Sequence, residues 1–309
     1  MTQQSRYVAG SLIVVVLLGT GVAVAHWGLY GWTIFAIFPL LFGGMSTWSF
    51  RPHSQLRAAG LGALTATTPS LFFLLLGQEG LICILMCLPL TIPCGAIGGW
   101  LVYWLMSSLK PATGIAALLL LPVATLTWDG SAQPRVYKVQ TEVIVAASPE
   151  QVWKHVISFP PLPEPQEWFF RAGVAYPQRA RLEGTGPGAV RYCEFTTGAF
   201  VEPIEVWDEP RLLQFRVTEN PAPLNELSPY GAITPKHLHG YMISRRGEFR
   251  LIPLPDGRTL LRGTTWYQHG LWPAGYWRLW SDAIIHRIHL RVLNHVKMLA
   301  EEGRVELGP

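Results

Sequence analysis

Residues 141–159 read TEVIVAASPEQVWKHVISF, and this stretch decides the fold. Val143 and Val145 alternate with Glu142 and Ile144, so a strand is expected over Val136 to Ala146. The chain then turns into a helix within three residues. Ser148 suits the cap, Pro149 the first turn, and Gln151 the reciprocal position of a capping box. Pro160, Pro161, Pro163 and Pro165 end that helix, and a short second helix is expected through Trp168 and Phe169. Six alternating segments follow, at Arg179 to Glu183, Ala189 to Thr197, Phe200 to Trp207, Arg211 to Thr218, Glu248 to Leu254 and Arg258 to His269. Asp256-Gly257 marks a hairpin turn between the last two, and one long helical pattern closes the chain from Ala274 to Glu302.

The sequence on the N-terminal side of this stretch has a different solvent. Of 44 charged residues in the 309-residue chain, residues 1–128 hold only Arg6, Arg51, Arg57, Glu79 and Lys110. Uncharged runs of this length predict an all-α transmembrane domain over 1–128, with five spans near 8–26, 31–50, 58–77, 81–106 and 112–128. Trp27, Trp32, Trp48, Trp100, Trp104 and Trp128 fall near span ends, as an aromatic belt requires. Arg6, Arg51, Arg57 and Lys110 lie on one side, which predicts a cytoplasmic N-terminus and a soluble domain on the non-cytoplasmic face. Arg6, the apolar run after it and Ala23-Val24-Ala25 also fit a signal peptide, whose cleavage would leave four spans and the same exterior domain. Residues 129–135 are the expected linker, and 136–309 the soluble domain. The net charge of +4 divides into +3 before residue 129 and +1 after it. A soluble part so nearly neutral excludes nucleic acid as a partner.

Strand, two short helices, six strands and a long terminal helix, opened by the Ser-Pro-Glu-x-Val-Trp turn at 148–153, resemble the helix-grip superfamily. That group, also called SRPBCC, includes START lipid-transfer domains, polyketide cyclases and the birch-pollen allergen family. The resemblance covers 136–302 and implies an α+β helix-grip domain, a curved antiparallel sheet around the C-terminal helix with an apolar cavity between them. It implies a hydrophobic ligand, and it carries over no catalytic motif.

Alternation assigns the cavity-facing side chains. Phe200, Glu202, Ile204 and Val206 share one face, and Leu213, Phe215 and Val217 form the matching face of the next strand. Glu202 is then either a carboxylate that receives a polar ligand head, or the partner of an arginine such as Arg191. Leu261, Gly263, Thr265, Tyr267 and His269 face inward on the last strand. On the terminal helix Trp277, Ile284, Ile288, Val292 and Leu299 form the expected core stripe. Asp282, His286 and His289 lie beside it at spacings that suit a divalent ion, or that reflect an ordinary helical pair. The long connection from Asn220 to Ser244 carries His237 and His239, which either stiffen the loop or reach the ligand. Cys83, Cys87 and Cys94 share one stripe of the fourth span, as a thiolate site or as small packing residues.

The expected ligand-binding set is therefore Glu202, Ile204, Phe215, His237, His239, Tyr267 and His269, with no resident cofactor or metal. The expected partners are a hydrophobic small molecule or lipid and the bilayer itself. A multi-pass, membrane-anchored binding or transfer module is the leading expectation; the alternative is a cyclase-like or metal-dependent enzyme acting on a hydrophobic substrate.

Overall fold

The computed structural model describes the backbone of residues 2–108 and 111–305, and the side chains of these apart from 108, 111–117, 119 and 303–305. It forms two compact units. The first takes the chain up to Gln133 together with Glu226–His237 and Gly270–Trp277; the second takes Pro134–Asn225, Leu238–His269 and the chain from Arg278 on.

The first unit contains α1 (Gln3–His26), a π-helical turn (Thr33–Ile37) that runs into α2 (Phe38–Phe50), α3 (Gln55–Thr65), α4 (Thr68–Leu75), α5 (Leu81–Ser108) and α6 (Pro111–Ser131). Four segments among the described residues are long and apolar enough to cross a membrane: Gln3–His26, Thr33–Phe50, Gln55–Leu75 and Leu81–Ser107. They match the first four expected spans. The fifth falls on α6, part of which, like Lys110, lies outside the described residues.

Glycine sets how closely these helices approach. A Cβ on Gly98 would lie 1.9 Å from the Leu40 carbonyl oxygen, and one on Gly99 would lie 2.2 Å from that of Ala58. Gly43 and Gly62 meet the Gly95 carbonyl in the same way, at 2.0 and 2.2 Å from an added Cβ. α5 thus lies backbone to backbone against α2 and α3, despite Pro89 and Pro93 within it. Asp129, expected to open a linker, instead ends α6. Its carboxylate accepts from the Trp32 and Thr33 amides at 2.9 and 3.0 Å and from the Thr33 hydroxyl at 2.8 Å. The reason is that the first amides of a helix lack intrahelical acceptors and attract an anion.

The second unit begins with β1 (Val136–Val145), α7 (Pro149–Ile157) and α8 (Trp168–Arg171), in the expected order. The Ser148 amide donates to Gln151 Oε1 at 3.1 Å, so the capping reading holds. β2 (Pro177–Glu183), β3 (Val190–Phe195), β4 (Gly198–Asp208), β5 (Leu212–Arg216), β6 (Met242–Pro253) and β7 (Thr259–His269) follow, and α9 (Ala274–Val305) closes the chain. All seven strands form one antiparallel sheet in the order β1-β7-β6-β5-β4-β3-β2. Gly257, in the left-handed region at φ +78°, makes the β6–β7 turn.

Two side-chain assignments change. A register shift between Ile204 and Val206 puts Val206 opposite Gln214 and Trp207 opposite Leu213. Trp207, not Val206, therefore packs into the core, edge-on to Trp153. On α9 the buried stripe is Ile285, Val292, Leu293, Val296 and Ala300, rotated one residue from the Ile284 and Ile288 face expected. Leu293 packs over Gly263, where an added Cβ would lie in ordinary van der Waals contact with it at 3.4 Å. Trp277 belongs to the first unit, where its ring lies 4.8 Å from that of Phe35.

Candidate functional site

The interior of the second unit is built on a directly opposed cross-strand pair. β3 and β4 pair with Arg191 opposite Glu202, on the inward face that also carries Cys193 and Ile204. Arg191 is 1% and Glu202 6% exposed, and Arg191 Nη1 donates to Glu202 Oε2. The guanidinium carbon stands 5.5 to 5.6 Å from the ring centres of Phe159, Phe215 and Phe249. Phe215 in turn lies over the bare backbone of Gly247 on the neighbouring strand. The result is a cation in an aromatic box, held by one carboxylate.

One carboxylate does not satisfy a guanidinium with five donors. Arg191 Nε and Nη2 are buried with no oxygen or nitrogen acceptor among the described residues, and beside Glu202 the guanidinium faces only the weakly accepting Cys193 sulfur. Burial pushes the Glu202 carboxyl above its ordinary value, and the adjacent guanidinium opposes that shift. Burial also pushes the Cys193 thiol up to about 12, against the pull of Arg191, which disfavours the thiolate.

A second polar cluster occupies the β1–β7 end of the sheet. Thr141 Oγ1 lies 2.7 Å from His286 Nδ1 and 3.1 Å from His289 Nδ1, while Thr265 Oγ1 lies 2.7 Å from His289 Nε2. Both His289 nitrogens are engaged by hydroxyls, an arrangement that suits a neutral imidazole. Burial, and then the neighbouring His286, lower its pKa to about 4. Tyr267, fully buried, donates to Asp282 Oδ1 at 2.5 Å, and Arg278 Nε reaches Asp282 Oδ2 at 3.0 Å. Burial first, and then Asp282, hold the Tyr267 phenol well above its ordinary range. Asp282, His286 and His289 thus each have a protein partner in a helix-to-sheet hydrogen-bond network.

The remaining expected residues divide between the units. Ile204 and Phe215 join the cluster around Arg191, while His269 is buried beside Tyr267 and stacks on Tyr137 at 5.3 Å. His239 is exposed on the second unit. His237 belongs to the first unit, with its Nε2 2.8 Å from Cys83 Sγ and its Nδ1 3.3 Å from Glu79 Oε2. Arg191 was visible only as a partner for Glu202. Its period-two spacing with Cys193 and Phe195 was the signal that it faces inward.

Residues 137–268 match the family described as polyketide cyclase / dehydrase and lipid transport. Among solved structures, norcoclaurine synthase from Thalictrum flavum, a point mutant in complex with a transition-state analogue, is 13% identical. That alignment covers 56% of this chain and 99% of the other, at a TM-score of 0.36. The Zhui aromatase/cyclase from Streptomyces sp. R1128 is 20% identical over 54% of this chain and 94% of that one, at a TM-score of 0.33. No curated protein matches the chain.

Proposed function

We propose that this protein is a membrane-anchored binding or transfer module whose helix-grip domain holds a hydrophobic molecule, with an acceptor group of the ligand on Arg191. The observation that carries this reading is the buried guanidinium whose Nε and Nη2 have no oxygen or nitrogen acceptor inside an aromatic box. A buried donor left without an acceptor costs about 1–3 kcal/mol, and more when charged. A carboxylate, phenolate or carbonyl at the end of an apolar ligand would remove that cost, and Phe159, Phe215, Phe249 and Ile204 supply the apolar contact. The family match supports the same ligand class.

Binding is favoured over catalysis by the state of the interior groups. A His289 imidazole with a pKa near 4 and a Cys193 thiol near 12 are both poor proton-transfer or nucleophilic groups at neutral pH. Four apolar helices tether the domain where such ligands concentrate. An exterior domain requires the fifth expected span, over 112–128, in addition to these four; with it, Arg6, Arg51, Arg57 and Lys110 all fall on the cytoplasmic side and support that placement.

The test is ligand retention by the full chain in detergent, read by native mass spectrometry and solvent extraction. An apolar molecule with one polar head should accompany the wild type and be lost from the paired variant Arg191→Leu, Glu202→Leu, and from Ile204→Arg. Wild type that extracts empty and binds no fatty acid, quinone or aromatic polyketide mimic would end the proposal. For sidedness, alkaline phosphatase fused after Pro309 should be active and a fluorescent protein there should stay dark; the reverse pattern would put the domain in the cytoplasm.

A further inference from the structure

Glu226–His237 is part of the helical unit, 143 residues or more along the chain from the helix it meets. The Leu81 amide donates to the Leu227 carbonyl at 2.8 Å, and the Glu226 carboxylate accepts from the Ile82 and Cys83 amides at 3.2 and 3.1 Å. Gly80 makes room for that carboxylate, since a Cβ there would stand 2.0 Å from Glu226 Oε2. At the other end of the segment His237 places Nε2 at 2.8 Å from Cys83 Sγ and Nδ1 at 3.3 Å from Glu79 Oε2. Tyr30 holds the second Glu79 oxygen at 2.8 Å and packs its ring 5.0 Å from the imidazole.

Among the described residues, Glu79, Cys83 and His237 bring one sulfur, one nitrogen and one oxygen donor within 4.8 Å of one another. Charge is the decisive feature. Two buried or nearly buried carboxylates, Glu79 and Glu226, flank a thiol and an imidazole, while the nearby Lys236 ammonium donates to the His26 carbonyl. His237, 8% exposed, also has no aligned hydrogen bond at Nδ1, although Glu79 is close by. A nucleophile–base–acid triad would need free amides to stabilise an oxyanion, but Glu226 already occupies those of Ile82 and Cys83. It would also need a thiolate beside two carboxylates, which repel it. A dication is attracted by all three.

We infer that Glu79, Cys83 and His237 bind a divalent transition ion of the zinc class, with Glu226 beside them, and that the ion fastens the 226–237 segment to the start of α5. Thiolate, imidazole and carboxylate are the donors zinc takes, at about 2.3, 2.0 and 2.1 Å. Tetrahedral angles at those lengths set sulfur and nitrogen about 3.5 Å apart. The Cys83–His237 gap of 2.8 Å therefore opens through side-chain rotation when the ion enters. Binding releases the thiol proton to solvent and leaves the oxidation state of every group unchanged.

The experiment uses the full chain in detergent, in a Cys87→Ser, Cys94→Ser, Cys193→Ser background that leaves Cys83 as the single thiol. Cobalt added to metal-free protein should give the thiolate-to-metal charge-transfer band and tetrahedral d–d bands at one ion per chain, displaced by zinc. Cys83→Ser should abolish the charge-transfer band, and His237→Asn or Glu79→Gln should shift the d–d bands or weaken binding. Hydrogen exchange across 226–237 should slow when zinc is added and recover on chelation, a readout that remains if one variant misfolds. Absence of a band at saturating cobalt, a band that survives Cys83→Ser, or exchange indifferent to zinc would each overturn the inference. So would Cys83 alkylation at an equal rate with and without zinc.

Discussion

Removing one member of the Arg191–Glu202 pair should damage the second unit far more than removing both. Each group is almost wholly enclosed, and the guanidinium has one ionic partner and three phenyl rings around it. Arg191→Leu leaves a carboxylate in an apolar core, and Glu202→Leu leaves a guanidinium there. Either single change is expected to cost about 3–5 kcal/mol. Replacing both with leucine removes two desolvated charges together and is expected to be neutral or stabilising by about 1–4 kcal/mol. Hydrogen exchange of β3 and β4 peptides in the intact chain is the suitable assay, since a chain of two compact units need not unfold in a single step. With about 1.4 kcal/mol per factor of ten, each single variant should speed exchange by roughly two to three and a half orders of magnitude. The double variant should exchange at the wild-type rate or slower. A single replacement that accelerates exchange less than about tenfold, or a double worse than both singles, would refute the buried ion pair as drawn.

Two further outcomes follow from groups already placed. His289 has a folded pKa of about 4 against an ordinary 6.5, so its neutral form stabilises the fold fully above pH 6.5, and that contribution drains away as pH falls toward 4. The span corresponds to a loss on the order of 3 kcal/mol, visible as lower protection factors in β1 and β7 at pH 4 than at pH 7 once the intrinsic pH dependence of amide exchange is divided out; an equal pH response in His289→Gln would rule His289 out as its source. Gly98→Leu, which drives a side chain into the Leu40 backbone, should separate α5 from α2 and abolish recovery of folded protein from detergent extracts, whereas Gly60→Ala, in open space, should not. Equal recovery of the two would show that the helices do not pack as described.

The order of elements along the chain and the two-part organisation were legible in the sequence because each rests on a local pattern: period-two alternation, a proline-opened helix after Ser148, and 128 residues holding five charges. What was not legible depended on one extra residue or on distant chain. The register shift near Glu205 moves Trp207 inward and Val206 outward, yet the segment Ile204 to Trp207 alternates no less plausibly without it. One residue of helix is 100° of rotation, so Ile284 and Ile285 are close to equal candidates by periodicity, and it is Ile285 that is buried. The pairing of Cys83 with His237 spans 154 residues and has no spacing to betray it.

The terminal helix carries the sharpest form of this limit. Its pattern runs unbroken from Ala274, and periodicity predicted one helix over 274–302, which is found. Periodicity reports that a helix continues; it does not report what covers each turn. The first turn of α9 is aromatic, with Tyr276 donating to the Met86 carbonyl of α5 and Trp277 against Phe35, whereas Arg278, one residue on, engages Asp282. A single element therefore contributes its first four residues to the helical unit and the rest to the grip domain. The same holds for the connection before β6, where Glu226 caps α5 while the chain up to Asn225 and again from Leu238 belongs to the second unit. Domain boundaries drawn on the sequence at one point, between 128 and 136, miss these two returns because a boundary in composition marks a change of solvent, and a short polar or aromatic segment is compatible with either side of it.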